Sequence, residues 1–414
     1  MKTKILLLLL MISAVICCTS GEEVIIGEPI VVQIMGNANM DQYVDDQDIA
    51  FIQDLISGSK EKTKLADANN DGSIDQEDIT QIEKILDRTA TEIYYLDANE
   101  EVSKVRHPLN TAIVVYDNAG EIIRILGAQD KIIGTDNMIV ALPTYFPEFS
   151  KLPSIGNRKD MNVEAVLDIG PEAVIVPKLS NIGPEFKEKI TNNGIDYVML
   201  RMWESHTAVP SLMTLGYILD ETENANRYIT YQEKILNEIK SRVATIPEEK
   251  RKRVFMDRPG DTTVAKGSGY SEAIEFVGGI NIAKDISKDT GTQLPEVDAE
   301  WVVKENPDVI IGLSWEGGYE TDDINTLKKR YDEIIAKPGF SSMDAVKNNQ
   351  VWVTTYIDLL GPGYHIGLVK LAKMLYPELF ADMDVKQLQN EYLTNWQHIN
   401  YDLDNHGVFQ YPKN

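Results

Sequence analysis

The chain has 414 residues, 43% hydrophobic and 25% charged, with a formal net charge of −25. That composition belongs to a folded protein, and at ~150 residues per domain the length allows two to three of them. The charge excludes nucleic acid as a partner, because its phosphates would be repelled. It is also uneven: residues 21–98 hold 18 Asp/Glu against 5 Lys/Arg, a net of −13. So short and acidic a stretch calls for bound cations.

Lys2 and Lys4 precede an apolar run over residues 5–16 that ends in Cys17-Cys18-Thr19-Ser20. A basic start, a short apolar core and a small polar exit mark residues 1–20 as an export signal. The run falls short of the ~20 apolar residues that span a bilayer. Cys17 and Cys18 are the only cysteines, so the body of the protein has no disulfide framework, thiolate metal site or Cys nucleophile. The boundary resembles a bacterial-type lipobox, which implies an exported protein at the cell surface or in the periplasm. Whether Cys17 or Cys18 carries a lipid, or both leave with the signal, stays open.

Two acidic segments follow at a spacing of 30 residues. The first places Asn37, Asn39, Asp41, Tyr43, Asp45 and Asp48 at loop positions 1, 3, 5, 7, 9 and 12, and the second places Asp67, Asn69, Asp71, Ser73, Asp75 and Asp78 there. Oxygen donors at these positions suit a hard cation such as calcium, with Tyr43 and Ser73 contributing backbone carbonyls and Gly72 the sharp turn. Behind each loop, Ile49, Ile52, Ile56 and Ile79, Ile82, Leu86 keep helical spacing. The pair, over residues 34–88, resembles a dockerin domain, which implies calcium and a cohesin partner. Gln42 and Asn37 depart from the usual Gly and Asp, so the first loop is expected to bind calcium more weakly. Asp46-Gln47 and Gln76-Glu77 stand where Ser-Thr pairs commonly recognise a cohesin, so a calcium-stabilised module without a cohesin remains the alternative.

Residues 93–95 and 102–105 predict a hairpin, and Pro108 ends it. Strands and helices then alternate to about residue 206, as in a parallel sheet covered by helices. Residues 224–243 read as one long helix without Gly or Pro, with Ile235, Ile239 and Val243 on one face. Alternation resumes at residue 254. One unit occurs twice: Asn162-Val163-Glu164 with Pro171 and a β-branched run, and Asp298-Ala299-Glu300 with Pro307 and another. Each reads as a capped helix with a Glu in its first turn, followed by a buried strand. The fold class is therefore α/β: two Rossmann-like lobes joined by one long helix, with a small all-α dockerin-like domain in front. The N-lobe covers about 108–206, the linking helix about 222–245 and the C-lobe about 252–395.

With Gly361-Pro362-Gly363-Tyr364-His365 and Phe276-Val277-Gly278-Gly279 added, residues 91–395 resemble the ABC-importer substrate-binding proteins that carry ferric siderophores, haem or cobalamin. The resemblance implies a binding protein, not an enzyme. Its cargo would be a metal chelate, a ferric siderophore first and cobalamin or haem next, delivered to a permease dimer. It also implies that Glu164 and Glu300, one per lobe, dock on the permease. Ligands of open α/β sheets lie beyond the carboxyl ends of the strands. That rule selects Tyr145, Lys178, Arg201, Trp203, Arg258, Lys266, Tyr270, Trp315, Tyr356 and Tyr364 as candidate ligand contacts, aromatic faces for the chelate and cations for its acidic groups. His206 and His365 fall in the same loops, where either an iron-ligating or an ordinary polar role is open. The rival is a dockerin-bearing polysaccharide-degrading component of a cellulosome-like assembly. It would need two carboxylates ~5–9.5 Å apart across one cleft, whereas Glu164 and Glu300 are expected on separate lobes. No hydrolase, phosphate-loop or zinc-protease motif is present.

Overall fold

The structure is a computed structural model that describes residue 26 and residues 30–178, 182–286 and 291–412. The export signal, Cys17 and Cys18 lie outside the described residues. The elements are α1 (Asp46–Ile56), α2 (Gln76–Leu86), β1 (Glu92–Leu96), β2 (Val102–Arg106), β3 (Ala112–Val114), α3 (Asp117–Ile125), β4 (Ile132–Thr135), α4 (Asn137–Val140), β5 (Gly156–Asn157) and β6 (Asp160–Met161). Then come α5 (Val163–Ile169), β7 (Ala173–Pro177), α6 (Pro184–Thr191), β8 (Asp196–Leu200), α7 (Ser205–Leu219), α8 (Thr222–Val243), β9 (Arg253–Asp257), α9 (Tyr270–Phe276) and β10 (Ile280–Asn281). The chain closes with α10 (Ala299–Glu305), β11 (Val309–Ser314), α11 (Asn325–Ile335), α12 (Asp344–Lys347), β12 (Val351–Thr355), α13 (Tyr364–Leu375), α14 (Val385–Glu391) and β13 (Gln410–Tyr411).

Lobe 1 is a parallel sheet in the order β4-β3-β7-β8, and lobe 2 is a sheet in the order β10-β9-β11-β12-β13, parallel except for β13. The central strands β7 and β11 are buried along their whole length, as the β-branched runs after Pro171 and Pro307 predict. Three apolar clusters explain the assembly. One lies beneath α5 and α6 on the outer face of lobe 1, and another beneath α10 and α11 on the outer face of lobe 2. The third is continuous and includes both inner faces, α7, α8, α13 and the N-terminal helices.

The linking helix expected at about 222–245 is α8, and a further helix, α7, precedes it, the chain reversing at Asp220, which adopts a left-handed φ of 63°. The strand signal disappears there because α7 is mostly apolar and largely buried, so it lacks the amphipathic stripe that marked α8. Helix α8 is the spine between lobes. Its first turn holds lobe 1 through Asn224 Nδ2 to the Leu126 carbonyl (2.9 Å), its middle holds α13 through Tyr228 Oη to the Pro362 carbonyl (2.6 Å), and its end pairs Arg242 with Asp382 (2.6 Å). Below the spine, Asp358 is buried with Lys370 (2.6 Å) and two threonine hydroxyls. At Gly367 a Cβ would lie 1.6 Å from the Asp358 carbonyl oxygen, so only glycine lets α13 pass there.

Residues 30–106 are built into lobe 1. Residues 33–35 add to the hairpin β1–β2 through Leu96 N–H to the Gln33 carbonyl (2.8 Å) and Met35 N–H to the Tyr94 carbonyl (2.9 Å). The hairpin lies along β8, where Ala98 N–H donates to the Met199 carbonyl (3.0 Å) and the buried Tyr95 hydroxyl to the Tyr197 carbonyl (3.2 Å). The two loop–helix units dock on α7. Val44 N–H donates to Tyr217 Oη (2.8 Å), Gln33 N–H to Thr214 Oγ1 (3.2 Å), and Arg88 pairs with Asp220 (3.1 Å).

Each unit starts its helix with a capping box: Asp45 with Asp48 for α1, Asp75 with Asp78 for α2. The closing aspartates also turn back into their loops, Asp48 to Asn39 N–H (3.0 Å) and Asp78 to Ala68 N–H (2.7 Å). Burial pushes Asp48 up to about 6 and raises Asp78 as well. The first loop departs at its first position: Asn37 is buried and donates its amide to the carbonyls of Val32 (2.9 Å) and Asp41 (2.7 Å). In the second loop Asp67 presents both oxygens, to Asp71 N–H (3.1 Å) and Gly72 N–H (3.0 Å). Among the described residues, no group of three or more His, Cys, Asp or Glu side chains is arranged to hold a metal ion.

Candidate ligand-binding cleft

The carboxyl ends of β3, β4 and β8 face those of β9, β11 and β12 across an open cleft of about 490 Å³. Lobe 1 contributes Tyr116, Met138, Arg158 and Trp203; lobe 2 contributes Arg258, Ser268, Tyr270, Gln293, Leu294, Trp315, Tyr356 and Leu360. The volume lies in the ~300–1,000 Å³ range of small-molecule sites. One tetrahedral oxyanion would leave most of it to water, at ~30 Å³ per molecule.

Its electrostatics run against the charge of the chain. Arg258, following β9, lies over the indole of Trp315 (5.3 Å) and reaches only Thr262 Oγ1 (3.3 Å) with its Nη1. Its buried Nε has no hydrogen-bond partner among the described residues, and burial lowers the guanidinium's pKa. From the opposite lobe, Arg158 lies over the Tyr116 ring (4.9 Å). Tyr116 follows β3 with a φ of 84°, a conformation bulky side chains rarely adopt, and its hydroxyl is pushed up to about 12 by burial. A guanidinium from each lobe, seated on an aromatic face, suits the cleft to anionic groups.

Behind Trp315 and Tyr356 lies a second chamber of about 140 Å³, lined by Asp117, Glu121 and Tyr145 of lobe 1, the loop from Gly317 to Glu320, and Gln389 and Tyr392. Burial, with like charges nearby, pushes Asp117 up to about 6 and Glu121 up to about 8, although Asn118 N–H and Tyr145 Oη respectively donate to them. This end of the cleft is lined by carboxyl groups, of which Glu121 keeps its proton at neutral pH while Asp117 is mostly ionised, whereas the other end is basic.

The structure brings together Trp203, Arg258, Tyr270, Trp315 and Tyr356 at the main cleft and Tyr145 at the inner chamber. It places the other candidates elsewhere. Lys178 Nζ (3.0 Å) and Arg201 Nε (3.2 Å) both donate to the Ala98 carbonyl at the hairpin tip, the nearest acceptor beyond their strands. Tyr364 is buried within α13. Lys266 is half-buried and does not line the cleft, its backbone N–H donating to the Lys284 carbonyl (3.1 Å). His365 is also turned inward, fully buried among Tyr228, Tyr231 and Tyr392, and burial lowers its pKa to about 3. The His206 side chain and residues 179–181 lie outside the described residues. Sequence reasoning missed Tyr116 and Arg158. The available signals were an aromatic directly after a β-branched strand and an Arg in the polar turn after Gly156-Asn157.

Glu164 and Glu300 are exposed in the first turns of α5 and α10, and neither lines the cleft. Asn162 caps α5 as expected, through Ala165 N–H (3.2 Å), whereas Asp298 makes no such bond to α10.

The sequence profile of the periplasmic binding proteins matches residues 113–356, and the chain belongs to that family, whose members capture solutes for ABC importers. It is a binding protein, not an enzyme, and the family works outside the cytoplasm. No helix among the described residues is long and apolar enough to cross a membrane. The chain is 22% identical over 332 residues to the molybdate-binding protein MolA of Haemophilus influenzae, covering 73% of this chain and 87% of that protein. It is 26% identical over 195 residues to a cobalamin-binding protein of Halobacterium salinarum, covering 45% of this chain and 49% of that one. Its fold is similar to that of the TroA-like periplasmic binding protein FepB from Veillonella parvula, with a TM-score of 0.61, 19% identity, and coverage of 78% of this chain and 99% of that chain.

Proposed function

We propose that this protein captures an anionic metal chelate, a ferric siderophore first and cobalamin or haem next, and hands it to an ABC permease dimer. The observation that carries the reading is the pair Arg158 and Arg258, set on aromatic rings in opposite lobes of a chain with a net charge of −25. The second reading, a bare metal oxyanion, draws on the same arginines and on the molybdate-binding relative. The cleft volume favours the larger ligand. Titrating the purified full chain with a ferric catecholate siderophore, haem, cyanocobalamin and molybdate, by absorbance and calorimetry, separates the readings. A chelate should bind, and Arg258→Ala should weaken it at least tenfold, since a lost charge-assisted contact is worth ~1.5–3 kcal/mol. Binding of molybdate alone would favour the second reading, and binding of none would sink both.

The handover belongs to Glu164 and Glu300, exposed in matching helices of the two lobes and away from the cleft, where a dimer with a basic socket per subunit would take both. Residues 34–88 are, on this reading, a dockerin-like calcium module. Support comes from the donor set of the second loop, Asp67, Asn69, Asp71, Asp75 and Asp78 with the Ser73 carbonyl, which fits calcium. The buried amide of Asn37 leaves the first loop a weaker site. Asp46, Gln47, Gln76 and Glu77 are exposed, so a cohesin would meet acids and amides there. Attachment of a lipid at Cys17 or Cys18 would hold the receptor beside its permease.

A further inference from the structure

We propose that the carboxyl-terminal segment, residues 401–411, is a positioning element of the cleft: it fixes the loop from Gly317 to Glu320, and Glu320 latches that loop of lobe 2 onto lobe 1. The segment lies outside the residues matched by the family profile. That it positions ligand contacts rests on the reading of the interlobe cleft as the ligand site; the latch itself does not.

Lobe 1 offers two consecutive N–H groups, of Thr144 and Tyr145, and the Glu320 carboxylate accepts from both, at 2.9 and 2.8 Å. Beside it the rings of Tyr145 and Tyr319 stack across the lobes at 4.2 Å with an interplanar angle of 1°. Both sides of the contact are held from behind. In lobe 1, the fully buried Arg124 donates Nη1 to the Tyr145 carbonyl (2.7 Å) and pairs with Glu148 (2.6 Å). In lobe 2 the loop begins with Gly317 and Gly318, at φ of 101° and 91°, a backbone that needs outside support to keep one shape. The terminal segment supplies it. Gly318 and Val408 exchange both backbone hydrogen bonds (2.6 and 3.0 Å), Tyr401 Oη donates to the Tyr319 carbonyl (2.9 Å), and Phe409 packs edge-on to Tyr319 (4.7 Å). Strand β13 then fastens the segment to β12, whose end carries Tyr356. Trp315 lies at the entrance of the same loop. The spine α8 joins the lobes on one side, Gly361 N–H meets the Trp203 carbonyl (2.7 Å) between them, and this latch joins them again beside the inner chamber.

The test measures the separation of the lobes in the full chain without ligand. Spin labels at Asp168→Cys and Lys329→Cys, both exposed and on helices of opposite lobes, are placed in a Cys17→Ser/Cys18→Ser background. Glu320→Ala and truncation after Asn400 are each expected to lengthen and broaden the interlobe distance distribution, with Glu320→Gln, which keeps one acceptor, close to wild type. Unchanged distributions in both Glu320→Ala and the truncated chain would overturn the latch. If the truncated chain does not fold, Glu320→Ala decides, because Glu320 is exposed and its removal leaves no cavity. Whichever of ferric catecholate, haem, cyanocobalamin or molybdate binds wild type should bind Glu320→Ala at least tenfold more weakly, and undiminished affinity would overturn the positioning role. Wild type binding none of them would count against the functional reading, while the distances still decide the latch.

Discussion

Among the carboxyl groups lining the cleft and its inner chamber, Glu121 is the one whose ionisation is shifted furthest from its ordinary value. Burial raises it to about 8, so between the ordinary carboxylate range near pH 4.5 and about pH 8 the folded state keeps a proton that the unfolded chain has lost. The stability this proton brings is therefore complete below about pH 4.5 and is lost as the pH rises through 8. Glu121→Gln should match wild type in melting temperature near pH 4.5 and exceed it at pH 8.5, with a gain on the order of 2–4 kcal/mol. A gain independent of pH would show that Glu121 does not titrate in this way. At the same scale, the strand-end rule found Trp203, Arg258, Tyr270, Trp315 and Tyr356 because β-strand termini can be read from β-branched runs. It failed for Lys178 and Arg201 because a long basic side chain takes the nearest carbonyl, here one supplied by a hairpin from another part of the chain. Tyr116 and Arg158 were faint for a different reason: a positive φ and a two-residue strand pair leave little pattern beyond an aromatic after a strand and an Arg in a polar turn.

Among the elements, the amino-terminal loop–helix units are the ones whose stability a cation should control. Melting of the full chain in calcium and in chelator should differ, with the higher transition in calcium, and Asp67→Ala with Asp78→Ala should remove the difference. An identical melting curve in both media would contradict the calcium reading. The units do not stand alone, since Val44 meets Tyr217 of α7. Tyr217→Phe should therefore lower the stability of the amino-terminal units by ~1 kcal/mol, the net value of one hydrogen bond. Helical periodicity made α1, α2 and α8 plain in the sequence. The same periodicity is absent from α7, because a mostly apolar, largely buried helix has little polar face to set against an apolar one. The tail after Trp396 carried no readable signal either, since its strand is two residues long and takes its meaning from β12.

For the whole molecule, the proposed function puts capture and delivery on different surfaces. The cleft lies beyond the strand ends, while Glu164 and Glu300 stand exposed on α5 and α10. Glu164→Lys with Glu300→Lys should abolish uptake through the permease in reconstituted vesicles and leave affinity for the captured chelate within twofold of wild type. A parallel loss of affinity would refute a docking role.

The hairpin along β8 and the strand added at β12 have a joint effect beyond either lobe. Tyr95 and Ala98 occupy carbonyls on one outer sheet margin, β13 covers the other, and the Thr135 N–H and carbonyl at the β4 margin are taken by Pro153 and Ile155. A bare strand margin is a template on which a second chain can extend the sheet. Here the margins at β8, β4 and β12 are closed by segments flanking the family core or by its own loops, while β10 forms the remaining margin of lobe 2. The hairpin and the carboxyl-terminal strand thus leave the β8 and β12 margins unavailable for pairing with a second copy of the chain.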